Sequence, residues 1–460
     1  MEGVWAPERR ALTIGLVFTI TLVAFESLAV ATILPDIKND LGGLGLYGWV
    51  FSAFFLGNIV GVVVAGQTTD HKGPATAYLM GLGLFVVGLV IGGFAPSMLV
   101  LVLGRAVQGF GAGAVPATAY ATIGRAYPEA IRPRMFAIMS TAWVVPGLIG
   151  PVLASTISNA IGWRWVFLGL VPLSIGAGLV AHRALRPLAI VGGDRETSRL
   201  GRAARVAAGA GLVLAGVTSD WVLVAVPLVV AGTALALPAF LSLVPGGTVR
   251  AERGLPAAVL VRGVLTFAFF GADAYIPLAV TDARGASTLY AGAALTGTAI
   301  SWTAGSWLQE RMVLRLGPRR FVGAGHGVLL VGICLAATAL VDAVPLWVIV
   351  VAWTIAGFGI GMSYSAISVT VLRLAPAGRE GTASSAVQLT DTLGVALGTG
   401  FGGAAVALGD ALEWDPAVGI GIAWAMAGAV ALVGILVARR LPDAEESSGV
   451  LAEDGALAGG

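Results

Sequence analysis

The sequence predicts an all-α polytopic membrane protein. Three observations carry this. Hydrophobic residues make up 57% of the 460-residue chain and charged residues only 11%, whereas a soluble globular domain carries about 25% charged residues. Mean hydropathy is +0.91. The apolar residues fall in long runs, not in the weakly alternating strands of about ten residues that mark an outer-membrane barrel.

Taken between charged or turn-rich breaks, the runs give helices at 11–35, 44–66, 75–94, 97–123, 134–159, 163–183, 204–218, 221–244, 261–281, 287–308, 321–341, 345–372, 381–408 and 416–438. The first is too long for the core of a signal peptide, so it is expected to be retained. The seventh, "RVAAGAGLVLAGVTS", is short. It forms a hairpin with its neighbour, so removing both leaves twelve spans and the same orientation at the ends. Twelve and fourteen both stand at this point, with fourteen favoured.

Basic residues orient the map. With the N-terminus inside, 23 of the 27 Lys and Arg residues fall on the inner side, from Arg9 and Arg10 through Arg250, Arg253 and Arg262 to Arg439 and Arg440. Only Lys38, Arg164 and Arg284 fall outside, and Arg105 lies within a span. That bias places both termini in the cytoplasm, and the chain is expected in the inner (plasma) membrane. The longest charged interior stretch, "RPLAIVGGDRETSRLGRAAR", separates a six-span region at 1–186 from a segment at 187–254 that holds the linker and two extra spans. A second six-span region follows at 255–440, and the acidic, Gly-rich tail at 441–460 reads as disordered.

Several chemistries are excluded. The single Cys334 and the scattered His71, His182 and His326 offer neither a disulfide framework nor a zinc site. No "GxxxxGK[ST]" loop and no sizeable soluble domain are present for ATP hydrolysis. No "HExxH" or "GxSxG" suggests an enzyme. Neither a cofactor nor a nucleic-acid partner is expected.

Four ionisable residues lie deep inside the spans: Glu26, Arg105, Asp273 and Asp391. An ionised side chain at a membrane helix centre costs roughly 2.5–3.5 kcal/mol, so such residues point by default to function. The alternative is a structural role: Glu26 or Asp273 fixing helix packing, and Asp391 joining Gln388 and Thr390 in a hydrogen-bonded polar face. Arg105 cannot shed its charge and needs an acid, carbonyls or water. Glu26 and Asp273 fall in the first spans of the two six-span regions, and "GQTTDHKGP" (66–74) and "LQERMVLRLGPRR" (308–320) follow the second spans. An internal repeat with ionisable residues near the midplane marks a secondary transporter. Glycine-rich runs such as "GFGAGA" (109–114) and "GFGIG" (357–361) read chiefly as close helix packing.

With these positions in place, the chain resembles the major facilitator superfamily, and more narrowly its fourteen-span drug:proton antiporters. "GQTTDHKGP" resembles the loop after span two through Gly66, Asp70 and Gly73, although Pro74 and Ala75 stand where basic residues are usual. "GRAVQGFGAG" resembles the fourth-span motif through Arg105 and Gln108. "PGLIGPVLAS" resembles the fifth-span antiporter motif through Gly147, Gly150 and Pro151, with Ala154 and Ser155 replacing its closing glycines. "ESLAVATILP" resembles the first-span motif, with Glu26 in place of aspartate.

The resemblance implies the major facilitator fold: two six-helix bundles related by pseudo-twofold symmetry, here with an extra two-helix hairpin between them. It implies proton-coupled antiport that exports amphipathic or lipophilic small molecules by alternating access, with the proton gradient as energy source. Glu26, Arg105, Asp273 and Asp391 would couple protons. Gly66, Asp70, Gly73, Gly147, Gly150 and Pro151 would govern the conformational switch. Candidate substrate-binding residues are Asn58, Gln108, Trp143, Tyr275, Trp302, Tyr364 and Gln388, although aromatics in spans also serve as packing or interface anchors. The expected partners are a small amphipathic molecule, protons and the lipid bilayer, with the protein a monomer. Export of a lipid or specialised metabolite, or proton symport for uptake, are the alternatives on the same fold.

Overall fold

The computed structural model describes residues 4–127, 135, 138, 139, 142, 144–186, 197–219, 221–375 and 380–443. Trp143, most of the stretch before α5, the linker at 187–196 and the tail beyond 443 lie outside the described residues. The helices are α1 (Pro7–Leu41), α2 (Tyr47–Lys72), α3 (Pro74–Gly93), α4 (Met98–Ala126), α5 (Val144–Ile161) and α6 (Leu170–Leu185). Then follow α7 (Thr197–Val217), α8 (Val222–Leu243), α9 (Leu255–Asp273), α10 (Thr288–Thr338), α11 (Trp347–Leu374), α12 (Glu380–Ala411) and α13 (Pro416–Ala438). In a bilayer every backbone polar group must be satisfied internally, and long helices do this for apolar runs. Pro7, Pro74 and Pro416 stand at helix starts, where the missing N–H costs nothing. Ser97 and Asp415 cap the starts of α4 and α13.

Among the described residues twelve helices are long and apolar enough to cross a membrane. They include both members of the doubtful hairpin, as Leu200–Val217 and Leu223–Leu243, and they leave out α5 and the first limb of α10. The twelve are therefore not the set left when the hairpin is removed. The hairpin's first helix also begins earlier than its apolar run, because charged residues end a hydropathy run without ending a helix.

The same reason corrects two loops. "GQTTDHKGP" is helical through Lys72 and breaks only at Gly73 (φ 83°, ψ 161°). "LQERMVLRLGPRR" stays helical within α10 apart from a bend at Gly317 (φ 76°, ψ 153°). A proline follows each glycine, and this backbone region belongs almost wholly to glycine. The two limbs of α10 thus repeat α2 and α3.

The repeat extends to atomic packing. A Cβ at Gly109 or Gly113 of α4 would strike the backbone of Phe54 or Asn58 on α2. A Cβ at Gly357 or Gly361 of α11 would strike that of Thr298 or Trp302 on the first limb of α10. Gly111 meets Gly81 and Phe85 on α3, and Gly359 meets Gly325 and Leu329 on the second limb. The packing role read for "GFGAGA" and "GFGIG" holds, and it is the same contact in both halves.

Helices α1–α6 pack on one another, as do α9–α13. The two sets meet where α2 lies against α12 and α5 against α10. Helix α7 rests on α2 and α12, with Leu214 and Ala210 buried against Leu56 and Ala396. Helix α8 packs on α7 and turns Leu223, Val226, Val230 and Leu241 outward. The face at the start of α1 is here the near face. Among the described residues the hydrogen bonds joining the two sets lie toward the far face. They run from Ser52 to Ala396 and Thr399, from Ser155 to Thr288, and from Lys38 to Asp282.

Candidate functional site

Glu26 lies midway along α1 and is fully buried. Arg105 of α4 donates from Nη1 to Glu26 Oε1 and, at 2.7 Å, to Gln108 Oε1. Its Nε donates to the Val50 carbonyl at 3.2 Å, and its guanidinium lies 4.1 Å from the centre of the Phe54 ring. Glu26 and Arg105 therefore touch, which spacing alone could not establish. Glu26 Oε2 has no hydrogen-bond partner among the described residues. Every component of this cluster comes from α1, α2 and α4, whose close approach rests on the glycines of α4 described above.

Asp273 is placed differently. It ends α9, and the span resumes through a short turn at Ile276–Leu278 and a π-helical turn at Ala279–Ala283. π-turns and broken membrane helices recur at functional positions. Trp353 Nε1 of α11 donates to Asp273 Oδ1 at 2.6 Å. No cation pairs with Asp273 among the described residues.

Asp391 of α12 pairs with Arg262, whose Nε donates to Oδ1 at 2.6 Å. Arg262 also donates from Nη1 to the Tyr364 carbonyl at 2.6 Å and to Ser368 Oγ at 3.2 Å. Arg262, counted among the inner-side basic residues by the charge bias, lies within α9 and is buried. Asp391 is thus half of an ion pair as well as a member of a polar face.

Trp302 and Tyr364 join these sites. Trp353 stacks on Phe269 with ring centres 5.6 Å apart, Phe269 meets Trp302 edge-on at 5.6 Å, and Trp302 meets Tyr364 at 5.3 Å. Tyr364 Oη donates to Asp391 Oδ2 at 3.3 Å. A cavity of about 220 Å³ lies at the near end of this ladder, and Gln388 lines it beside Arg262 and Asp391.

The other expected residues scatter. Asn58 of α2 packs against Gly113 of α4. Tyr275 is fully buried near the far face, against Tyr47 and Gly403, and bonds the Thr399 carbonyl. It therefore closes helix contacts away from the cavity at the ladder's near end. Gly147 and Pro151 face α10, where a Cβ at Gly147 would meet Ala299 and one at Gly292 would meet Pro151. Gly150 faces Phe25 of α1. Gly66 has open space beside it, and the side chain of Asp70 lies outside the described residues.

The Major Facilitator Superfamily model matches residues 16–199 and 258–456. The unmatched interval holds most of α7 and all of α8. The chain is 26% identical over 452 residues to a Mycobacterium tuberculosis protein named "Probable multidrug-efflux transporter", covering 92% of this chain and 94% of that one. It is 30% identical over 162 residues to "Multidrug resistance protein 3" of Bacillus subtilis, covering 35% of this chain and 32% of that protein. Its fold matches a crystal structure of a D-xylose-proton symporter with TM-score 0.69 at 14% identity, covering 95% of this chain and 99% of that one. Two repeated sets of packed helices, with a family match reaching across both, show that the chain belongs to the Major Facilitator Superfamily and is a multi-pass membrane transporter, not an enzyme.

Proposed function

We propose that the protein exports amphipathic or lipophilic small molecules across the plasma membrane in exchange for protons, with Glu26 carrying the coupling proton. The observation that carries this is the buried contact of Glu26 with Arg105, seated between α1 and α4. Buried ion pairs are costly, and breaking one strands a charge. Protonating Glu26 removes the partner of Arg105, which must then turn to Gln108, the Val50 carbonyl or entering water. Losing the proton restores the pair. Proton occupancy therefore alters how α1 and α4 are held, and a rocking motion of the two halves could respond to that change.

The names of the bacterial relatives support export of drug-like molecules. The half-buried rings of Phe270, Trp302 and Tyr364 offer an apolar, aromatic surface suited to such cargo. The contacts that join the halves toward the far face fit a state closed on that side. In this reading both termini are cytoplasmic, no cofactor is needed beyond the proton gradient, and the transporter acts as a monomer.

The test is flux of a panel of fluorescent amphipaths in proteoliposomes under an imposed pH gradient, with wild type and Glu26→Gln compared. Gradient-dependent transport that disappears in the variant supports the reading. Equal transport by both contradicts it.

A further inference from the structure

The cavity beside Arg262 has an unequal supply of donors and acceptors. Both oxygens of Asp391 are engaged, Oδ1 by Arg262 Nε and Oδ2 by the Tyr364 hydroxyl. Ser368 Oγ accepts from Arg262 and donates to the Tyr364 carbonyl. Arg262 carries N–H groups on three nitrogens. Two of those nitrogens are spent, while Nη2 donates to no acceptor among the described residues. Arg262 is only 4% exposed, so this is a buried guanidinium, and it lines the cavity. Gln388, exposed on α12, lines the same cavity and offers an amide.

We infer that this cavity is a binding site for the carboxylate head of an amphipathic organic anion, held by Arg262 Nη2 and the Gln388 amide. This rests on the reading of the protein as a transporter of amphipaths and adds the charge that its second half selects. Arg262 is locked in place by Asp391, by the Tyr364 carbonyl and by the face of the Tyr364 ring, 3.0 Å from the guanidinium carbon. A preorganised guanidinium binds an oxyanion with little further loss of side-chain freedom. The side chain of Asp391 is 20% exposed, so the site is reached from open space. Val371 and Val387 supply the apolar wall, and the ladder through Tyr364, Trp302 and Phe269 leads away from the head site. The Asp391 carboxylate already accepts from Arg262 and from the Tyr364 hydroxyl, so an ammonium head meets a carboxylate whose charge Arg262 counters.

The experiment uses three probes with one dansyl-undecyl body: dansylaminoundecanoic acid, its primary amide, and the analogue ending in an ammonium. Each is titrated by fluorescence into the full-length protein in nanodiscs without a pH gradient, and empty nanodiscs give the background. The carboxylate should bind about tenfold more tightly than the amide, with the ammonium weakest. Arg262→Gln combined with Asp391→Asn keeps the site neutral and should erase the ranking. Gln388→Ala should weaken the carboxylate alone. Ammonium binding as tight as carboxylate in wild type overturns the inference, as does a ranking that survives in the folded double variant. Glu26→Gln should keep the ranking. Because no gradient is applied, loss of the ranking is separable from failure of proton coupling, which appears only in gradient-driven flux.

Discussion

Trp353 stands in the second half where Arg105 stands in the first. Each lies four residues before the first glycine of its run, "GFGAG" or "GFGIG". Each donates to a carboxylate on the first helix of its own half, Glu26 for Arg105 and Asp273 for Trp353. The halves therefore share a donor–acid contact, but one donor is a permanent cation and the other a neutral indole.

Trp353→Phe keeps a ring against Phe269 and removes the donor to Asp273. It should lower stability by about 1–3 kcal/mol, the cost of leaving a buried acceptor unmet. Thermal unfolding in detergent checks this. Paired with Asp273→Ala in a double-mutant cycle, the double variant should lose less than the sum of the two single losses.

Gly109→Val and Gly357→Val should each reduce folded yield, because the new side chain meets the backbone of Phe54 or of Thr298. Overpacking costs typically about 1–3 kcal/mol, and more where backbone cannot move. Gly83→Ala, where nothing lies within 4 Å, serves as the comparison and should be neutral or stabilising. Size-exclusion profiles and melting temperatures read the difference.

Gly317→Ala should destabilise by about 1–3 kcal/mol, because its positive φ with extended ψ is strained for any residue with a side chain. Gly73→Ala should behave alike. A melting temperature unchanged in both variants would contradict the shared bend.

The ion pair of Lys38 with Asp282 bridges the halves near the far face. With exposed Cys334 replaced by Ala, Lys38→Cys with Asp282→Cys should block transport under oxidant and recover it under reductant. Transport at full rate with the crosslink formed would show that the two halves need not separate there.

Much of the fold is legible in the sequence, because apolar runs of bilayer length have few alternatives. Charged residues are where the reading fails. They ended the runs at Gly66 and at Leu308, although the helices continue to Lys72 and to the bend at Gly317. Glu26, Arg105 and Asp391 stand out as costly residues in apolar runs, and the structure gives each a specific partner. Those partners depend on helix rotation and on contacts between distant segments, and periodicity does not encode them. The correspondence of Glu26 with Asp273 shows in the sequence only as a shared place in the first span of each half; the donors that mark it, Arg105 and Trp353, show only in the contacts.

The central claim is that Glu26 carries the coupling proton. The most direct measurement is proton movement in proteoliposomes containing wild type or Glu26→Gln, read by an entrapped pH indicator as an amphipathic probe is transported. Wild type should move protons against probe flux. Glu26→Gln, inserted at the same density, should move none while still binding the probe. Equal proton movement in both would contradict it.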